Sequence, residues 1–165
     1  MNGYKKNEII GRMKFQQLAS NGKNRVEFTN MENDMYNHID AFFTALTTNY
    51  IYAVEIKNRS KKYDEQFDSL IVETIKFDAM AEHQTSNDTN ECLMIYFFDN
   101  ICYVLKWSTI TKLINEDIVA LGYKWLPDST VNFHKMVYKP CYEIPKEYAF
   151  KYELTNDKWK QIQKP

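Results

Sequence analysis

Hydrophobic and polar residues change rhythm several times along this chain, and each rhythm predicts an element. Asn7–Ser20 sets Ile9, Ile10, Met13 and Leu18 roughly on one side of a helix, and Asn21-Gly22 supplies a stop. Asn24–Asn37 is polar and mixed, with a short strand predicted at Arg25–Thr29. His38–Phe43 and Tyr50–Lys57 are rich in β-branched and aromatic residues, so both predict strands. Thr47-Thr48-Asn49 turns the chain between them, and strands this close in sequence pair antiparallel.

Asn58–Lys62 is a polar, basic break. Tyr63–Glu82 predicts a long helix, with Tyr63, Phe67, Leu70, Ile71 and Thr74 on one face, widened by Val72, Ile75 and Ala79. After the polar loop His83–Glu91, Cys92–Phe98 and Ile101–Trp107 predict a hairpin around Asp99-Asn100. Thr109–Leu121 predicts a helix that ends at Gly122. Pro127, Pro140 and Pro145 break the remainder, where short strands are predicted around Lys135–Tyr138 and near Phe150–Leu154. The predicted order is α-β-β-α-β-β-α-β, which gives the fold class α/β (α+β): one mixed sheet flanked by helices. The 165 residues, without repeats or a Pro/Gly linker, predict a single domain over 1–165.

Composition removes several classes of protein. The longest apolar runs, Leu93–Phe98 and Ile101–Leu105, are too short to span a bilayer. No apolar run follows the lysines near the N-terminus, so no signal peptide is read and a cytoplasmic protein is expected. Cys92, Cys102 and Cys141 are far apart and lack histidines at metal spacing, which argues for reduced, buried thiols over a zinc site.

The net charge of −1 conceals an asymmetry. Residues 1–62 carry ten Lys/Arg and six Asp/Glu, residues 63–100 carry one and nine, and residues 101–165 carry ten and seven. A uniformly basic nucleic-acid coat is therefore disfavoured, whereas a local basic surface is allowed. Aromatic residues make up 15% of the chain. Tyr103, Trp107, Tyr123, Trp125, Tyr138, Tyr142 and Trp159 interleave with lysines, a pattern that suits single-stranded nucleic acid, although core packing explains the same residues more simply.

Candidate chemistry concentrates on the first strand pair. Residues two apart on a strand share a face, so Glu55 and Lys57 point one way and Val54 and Ile56 the other. Asp40, across the hairpin, comes beside Glu55. Two carboxylates and the Ile56 carbonyl would suit Mg²⁺ (or Mn²⁺), a hard cation that takes oxygen ligands. Such an ion neutralises phosphate charge, and an adjacent Lys57 stabilises the oxyanion that develops.

The pattern H-I-D-A-F-F, a turn, then Y-A-V-E-I-K-N-R and a long helix resembles the PD-(D/E)XK nuclease superfamily, with its restriction-endonuclease-like fold. The resemblance covers about residues 8–105, leaving 106–165 as a C-terminal elaboration. It implies Asp40, Glu55 and Lys57 as catalytic residues, with Asp40, Glu55 and Ile56 as metal ligands. It further implies Glu8 in the first helix as a metal-site member, and Lys76, less well Gln66, as the helix residue after E-x-K. His38 reads as a strand-margin residue. Arg59, Lys61 and Lys62 would meet DNA phosphates. The implied activity is a Mg²⁺-dependent deoxyribonuclease leaving 5′-phosphate and 3′-hydroxyl ends, in repair, restriction, recombination or mobile-element biology, with a homodimer as an option. The competing reading is a non-catalytic accessory protein that keeps the fold.

Overall fold

The computed structural model describes residues 3–20, 26–30, 39–59, 64, 66–86, 89–128 and 135–165. His38, Lys61, Lys62, Tyr63 and His134 lie outside the described residues. The fold class expected from the sequence holds in outline, as mixed α/β with helices on a mixed sheet, but the element order differs.

Helix α1 (Gly3–Ser20) leads into β1 (Val26–Asn30), β2 (Ala41–Ala45) and β3 (Tyr50–Arg59). β2 and β3 pair antiparallel with Ala41 opposite Val54, as the hairpin pattern predicts. β5 (Glu91–Phe98) lies parallel to β3, and β6 (Ile101–Lys106) folds back on it. β5 carries an unbroken buried run from Cys92 to Phe98, the signature of a strand covered on both faces. Farther along, β9 (Phe150–Thr155) and β10 (Lys158–Gln163) form a hairpin through Asn156-Asp157. Both turn residues have positive φ, 51° and 59°, which short polar side chains tolerate in a two-residue turn. The sheet order is β1-β2-β3-β5-β6-β9-β10.

Residues 63–82 are not one helix. Ser69–Glu73 forms β4, and α2 spans Thr74–Thr85. Leu70 and Val72 are buried and alternate with half-buried neighbours, a period of two that the longer helical pattern concealed. β4 joins a second sheet, order β4-β8-β7, with β7 (Leu121–Pro127) and β8 (Met136–Pro145). The helix expected over Thr109–Leu121 is shorter and earlier: α3 covers Trp107–Asn115, and Leu121 opens β7.

Two apolar clusters sandwich the large sheet. On one face Phe15 of α1 packs with Ala41, Phe43, Val54, Ile95 and Phe97. On the other, Ala53, Met94 and Tyr96 meet Met80 of α2, Ile110 of α3 and Leu70, Val72 and Ile144 of the small sheet. The buried side of α1 is set by Gly11 and Phe15, whereas Ile9 and Met13, expected to face inward, are exposed. Gly11 permits this docking, because a Cβ there would sit 3.2 Å from both Ile56 Cγ2 and Asn58 Cβ. The three cysteines are free and buried, as their spacing suggests. No helix among the described residues is long and apolar enough to cross a membrane.

Candidate active site

β3 presents Ala53, Glu55 and Lys57 to the face covered by α2, level with Cys92, Met94 and Tyr96 of β5. One step beyond the Ala41–Val54 pair, Asp40 comes level with Glu55. The Asp40 backbone N–H donates to the Val54 carbonyl at 2.8 Å, and Asp40 Oδ2 accepts the Ile56 N–H at 2.6 Å. The end of β2 therefore holds its carboxylate against β3.

Glu55 is 3% exposed, an unusual position for a carboxylate unless it is paired. Its Oε1 lies 2.7 Å from Lys57 Nζ and 2.9 Å from Lys76 Nζ. Its Oε2 is buried and, among the described residues, has no hydrogen-bond partner. Burial pushes the Glu55 carboxyl up, but Lys57 and Lys76 outweigh it and hold the group below the usual glutamate value. Burial likewise pulls the Lys57 ammonium down, and Glu55 more than reverses that. The pairing with Glu55 thus favours the charged form of Lys57.

Asp40 behaves differently. Burial, then the neighbouring Glu55 charge, push its carboxyl up to about 7, against the Ile56 N–H and the two lysines. Two acids side by side in a low-dielectric site resist ionising together. A hard dication shared by Asp40 and Glu55 would remove that conflict and satisfy the orphaned Glu55 Oε2, so the donor set fits Mg²⁺ or Mn²⁺ with water and phosphate filling the remaining positions.

The other expected residues fall at different distances from this pair. Lys76 of α2 reaches Glu55 directly, while Gln66 is exposed. Glu8 of α1 is bound to Arg12 at 2.7 Å, and Arg12 in turn stands 4.0 Å from Asp40 Oδ1. Glu8 therefore approaches the pair through Arg12. Among the described residues no three His, Cys, Asp or Glu side chains gather as a metal cluster. Arg59 is exposed at the end of β3.

Three residues at the site were not foreseen. Arg12 was signalled only by its four-residue spacing from Glu8. Glu73, at the end of β4, lies in the field of Lys57 and pairs with Lys139 of β8 at 2.8 Å, but the helical reading of 63–82 hid it. The Tyr96 hydroxyl donates to the Ile71 carbonyl at 2.8 Å and ties β5 to β4 beneath the site.

The sequence matches no family model and no curated protein sequence. Among solved structures the chain is similar to a nuclease from a fusselovirus, with 11% identity, 86% of this chain and 79% of that chain covered, and a TM-score of 0.43. That likeness is one of coarse layout, and the functional reading rests on the side chains.

Proposed function

We propose that this chain is a metal-dependent deoxyribonuclease of the PD-(D/E)XK type. The observation that supports the reading best is the Asp40–Glu55 pair, in which one buried carboxylate keeps an unpartnered oxygen and the other is driven toward protonation. Mg²⁺ or Mn²⁺ held by Asp40, Glu55 and the Ile56 carbonyl would act as a Lewis acid and neutralise charge on the scissile phosphate.

The chain's own residues supply the rest. Lys57, kept as an ammonium by Glu55, donates to the attacking water and to the phosphate oxygens on which charge builds. Lys76 occupies the same Glu55 oxygen and fixes that carboxylate's rotamer. Arg12 links Glu8 to the Asp40 carboxylate and keeps α1 aligned with the site. Arg59 contacts a flanking phosphate, and Lys61 and Lys62, which follow closely in the sequence, would add further phosphate contacts. Water forms the new bond to phosphorus and gives up a proton to solvent as the bond to the 3′ oxygen breaks and that oxygen takes up a proton from solvent, leaving a 5′-phosphate and a 3′-hydroxyl.

The test is incubation of the full chain with duplex, branched and single-stranded DNA in Mg²⁺, in Mn²⁺ and in EDTA. Cleavage in either metal that disappears in EDTA and in Lys57→Ala supports the reading. No cleavage of any DNA in either metal overturns it in favour of a non-catalytic protein.

A further inference from the structure

β2 ends at Ala45 on one side and at Ala41, opposite Val54, on the other, whereas β3 runs on to Arg59. α1 lies along that extension. The Asn58 side-chain amide donates to the Asn7 carbonyl at 3.2 Å, Lys14 Nζ donates to Asn58 Oδ1 at 3.3 Å, and Gly11 packs on Ile56. Arg12, the next residue, is thereby carried to the Ala41 end of β2. Its guanidinium stands beside Asp40, with the side chain only 13% exposed. Glu8, one turn earlier, holds Arg12 Nη2 at 2.7 Å and orients the group.

Asp40 uses its two oxygens unequally. Oδ2 accepts the Ile56 N–H at 2.6 Å, whereas Oδ1 stands 4.0 Å from Arg12 Nη2, beyond hydrogen-bond length. Two opposite charges, both largely out of water, thus stop short of contact.

We propose that Arg12 is a catalytic residue that donates to a non-bridging oxygen of the scissile phosphate bound beside Asp40. The proposal rests on the nuclease reading above. Spacing is its first support. The 4.0 Å separation accommodates one shared oxygen. Such an oxygen lies about 2.9 Å from the nitrogen that donates to it, and about 3 Å from a carboxylate oxygen that ligates the same small dication beside it.

Residue type is the second support. A guanidinium presents its donors in a rigid planar fork, so it can hold a carboxylate and a phosphate oxygen together, and it stays charged when buried.

Charge is the third. Lys57 and Lys76 both donate to Glu55 Oε1, so the lysines serve the Glu55 side of the pair. Arg12 brings positive charge to the Asp40 side. There it repels a dication, and its place works against metal affinity. A phosphate reverses the sign, because the anion is attracted by the guanidinium and the ion together.

The experiment compares wild type, Arg12→Gln and Arg12→Lys in single-turnover cleavage of duplex, branched and single-stranded DNA, and titrates Mn²⁺ calorimetrically without DNA. Arg12→Gln should cleave roughly 10²-fold or more slowly. Arg12→Lys keeps the charge but not the fork, and should still cleave about tenfold or more slowly. Metal affinity should move the other way. Arg12→Gln in a Glu8→Gln background, where no carboxylate is freed, should bind Mn²⁺ about threefold or more tightly than Glu8→Gln alone. Thermal melting checks that the variants fold.

Cleavage by Arg12→Gln or Arg12→Lys within about threefold of an active wild type overturns the proposal and leaves the nuclease reading standing. Loss of Mn²⁺ affinity in step with cleavage also overturns it, because Arg12 would then only support α1 and the Asp40 carboxylate. A wild type that cleaves no DNA in either metal overturns the nuclease reading, and the role of Arg12 with it.

Discussion

Asp40 Oδ2 accepts the Ile56 backbone N–H at 2.6 Å, so a side chain completes the ladder one residue before β2 begins. The same bond fixes the carboxylate on β3, within the field of Glu55. Local strand geometry and site electrostatics are therefore one feature, and the pH behaviour of the fold follows from it.

Burial and Glu55 raise the Asp40 carboxyl to about 7, well above its unfolded value. The native state then holds this proton more tightly than the unfolded chain, so stability declines as pH rises from about 4 to about 7. The penalty is fully developed above that window and is on the order of 4 kcal/mol, at about 1.4 kcal/mol per pH unit. Glu55 and Glu73 are shifted the other way and lose their contribution only as pH falls below the usual glutamate range. In metal-free buffer Asp40→Asn should gain on wild type from pH 5 to about pH 7 in thermal melts and level off above it. Parallel melting curves over that range would show that Asp40 is not under this strain.

The Lys57 side chain is 14% exposed and ion-paired. Lys57→Ala should therefore cost about 1–3 kcal/mol in denaturant titration as well as activity. Single-turnover cleavage should fall by roughly 10²-fold or more, as for loss of one preorganised donor. Lys76→Ala should destabilise by a similar amount and slow cleavage less, because Lys76 holds Glu55 and is assigned no contact with the phosphate. Equal activity in wild type and Lys57→Ala would make Lys57 a bystander.

Gly11 lets α1 lie against β3, with 3.2 Å from its virtual Cβ to Ile56 and Asn58. Gly11→Ala should be nearly neutral, since a helix-propensity gain of about 1 kcal/mol offsets the contact. Gly11→Leu should lose about 2 kcal/mol or more, because α1 must lift and carry Arg12 away from Asp40. Wild-type stability in Gly11→Leu would contradict the packing described for α1.

The strand pairs were legible because alternation and turn residues agreed: β2 with β3, and β5 with β6 around Asp99, whose φ is 52°. Cross-strand register then brings Asp40 level with Glu55 from spacing alone. The small sheet was not legible. In S-L-I-V-E the apolar residues satisfy a helical face as well as a strand, and only the pairing of Val72 with Tyr142, far along the chain, decides between them. Gly122 was read as a helix stop, yet the segment it occupies is held as β7 by its partners in β8. Arg12 and Glu73 belong to the site through tertiary contacts that local pattern does not encode.

Calorimetric titration of Mn²⁺ and Mg²⁺ into wild type, Asp40→Asn and Glu55→Gln at pH 7, in buffers of different ionisation heat, tests the carboxylate pair most directly. Wild type should bind a dication and release part of a proton as Asp40 gives it up. Each variant should bind at least about tenfold more weakly, and Asp40→Asn should release no proton from this group. Superimposable isotherms for all three proteins would contradict the assignment of Asp40 and Glu55 as the metal site.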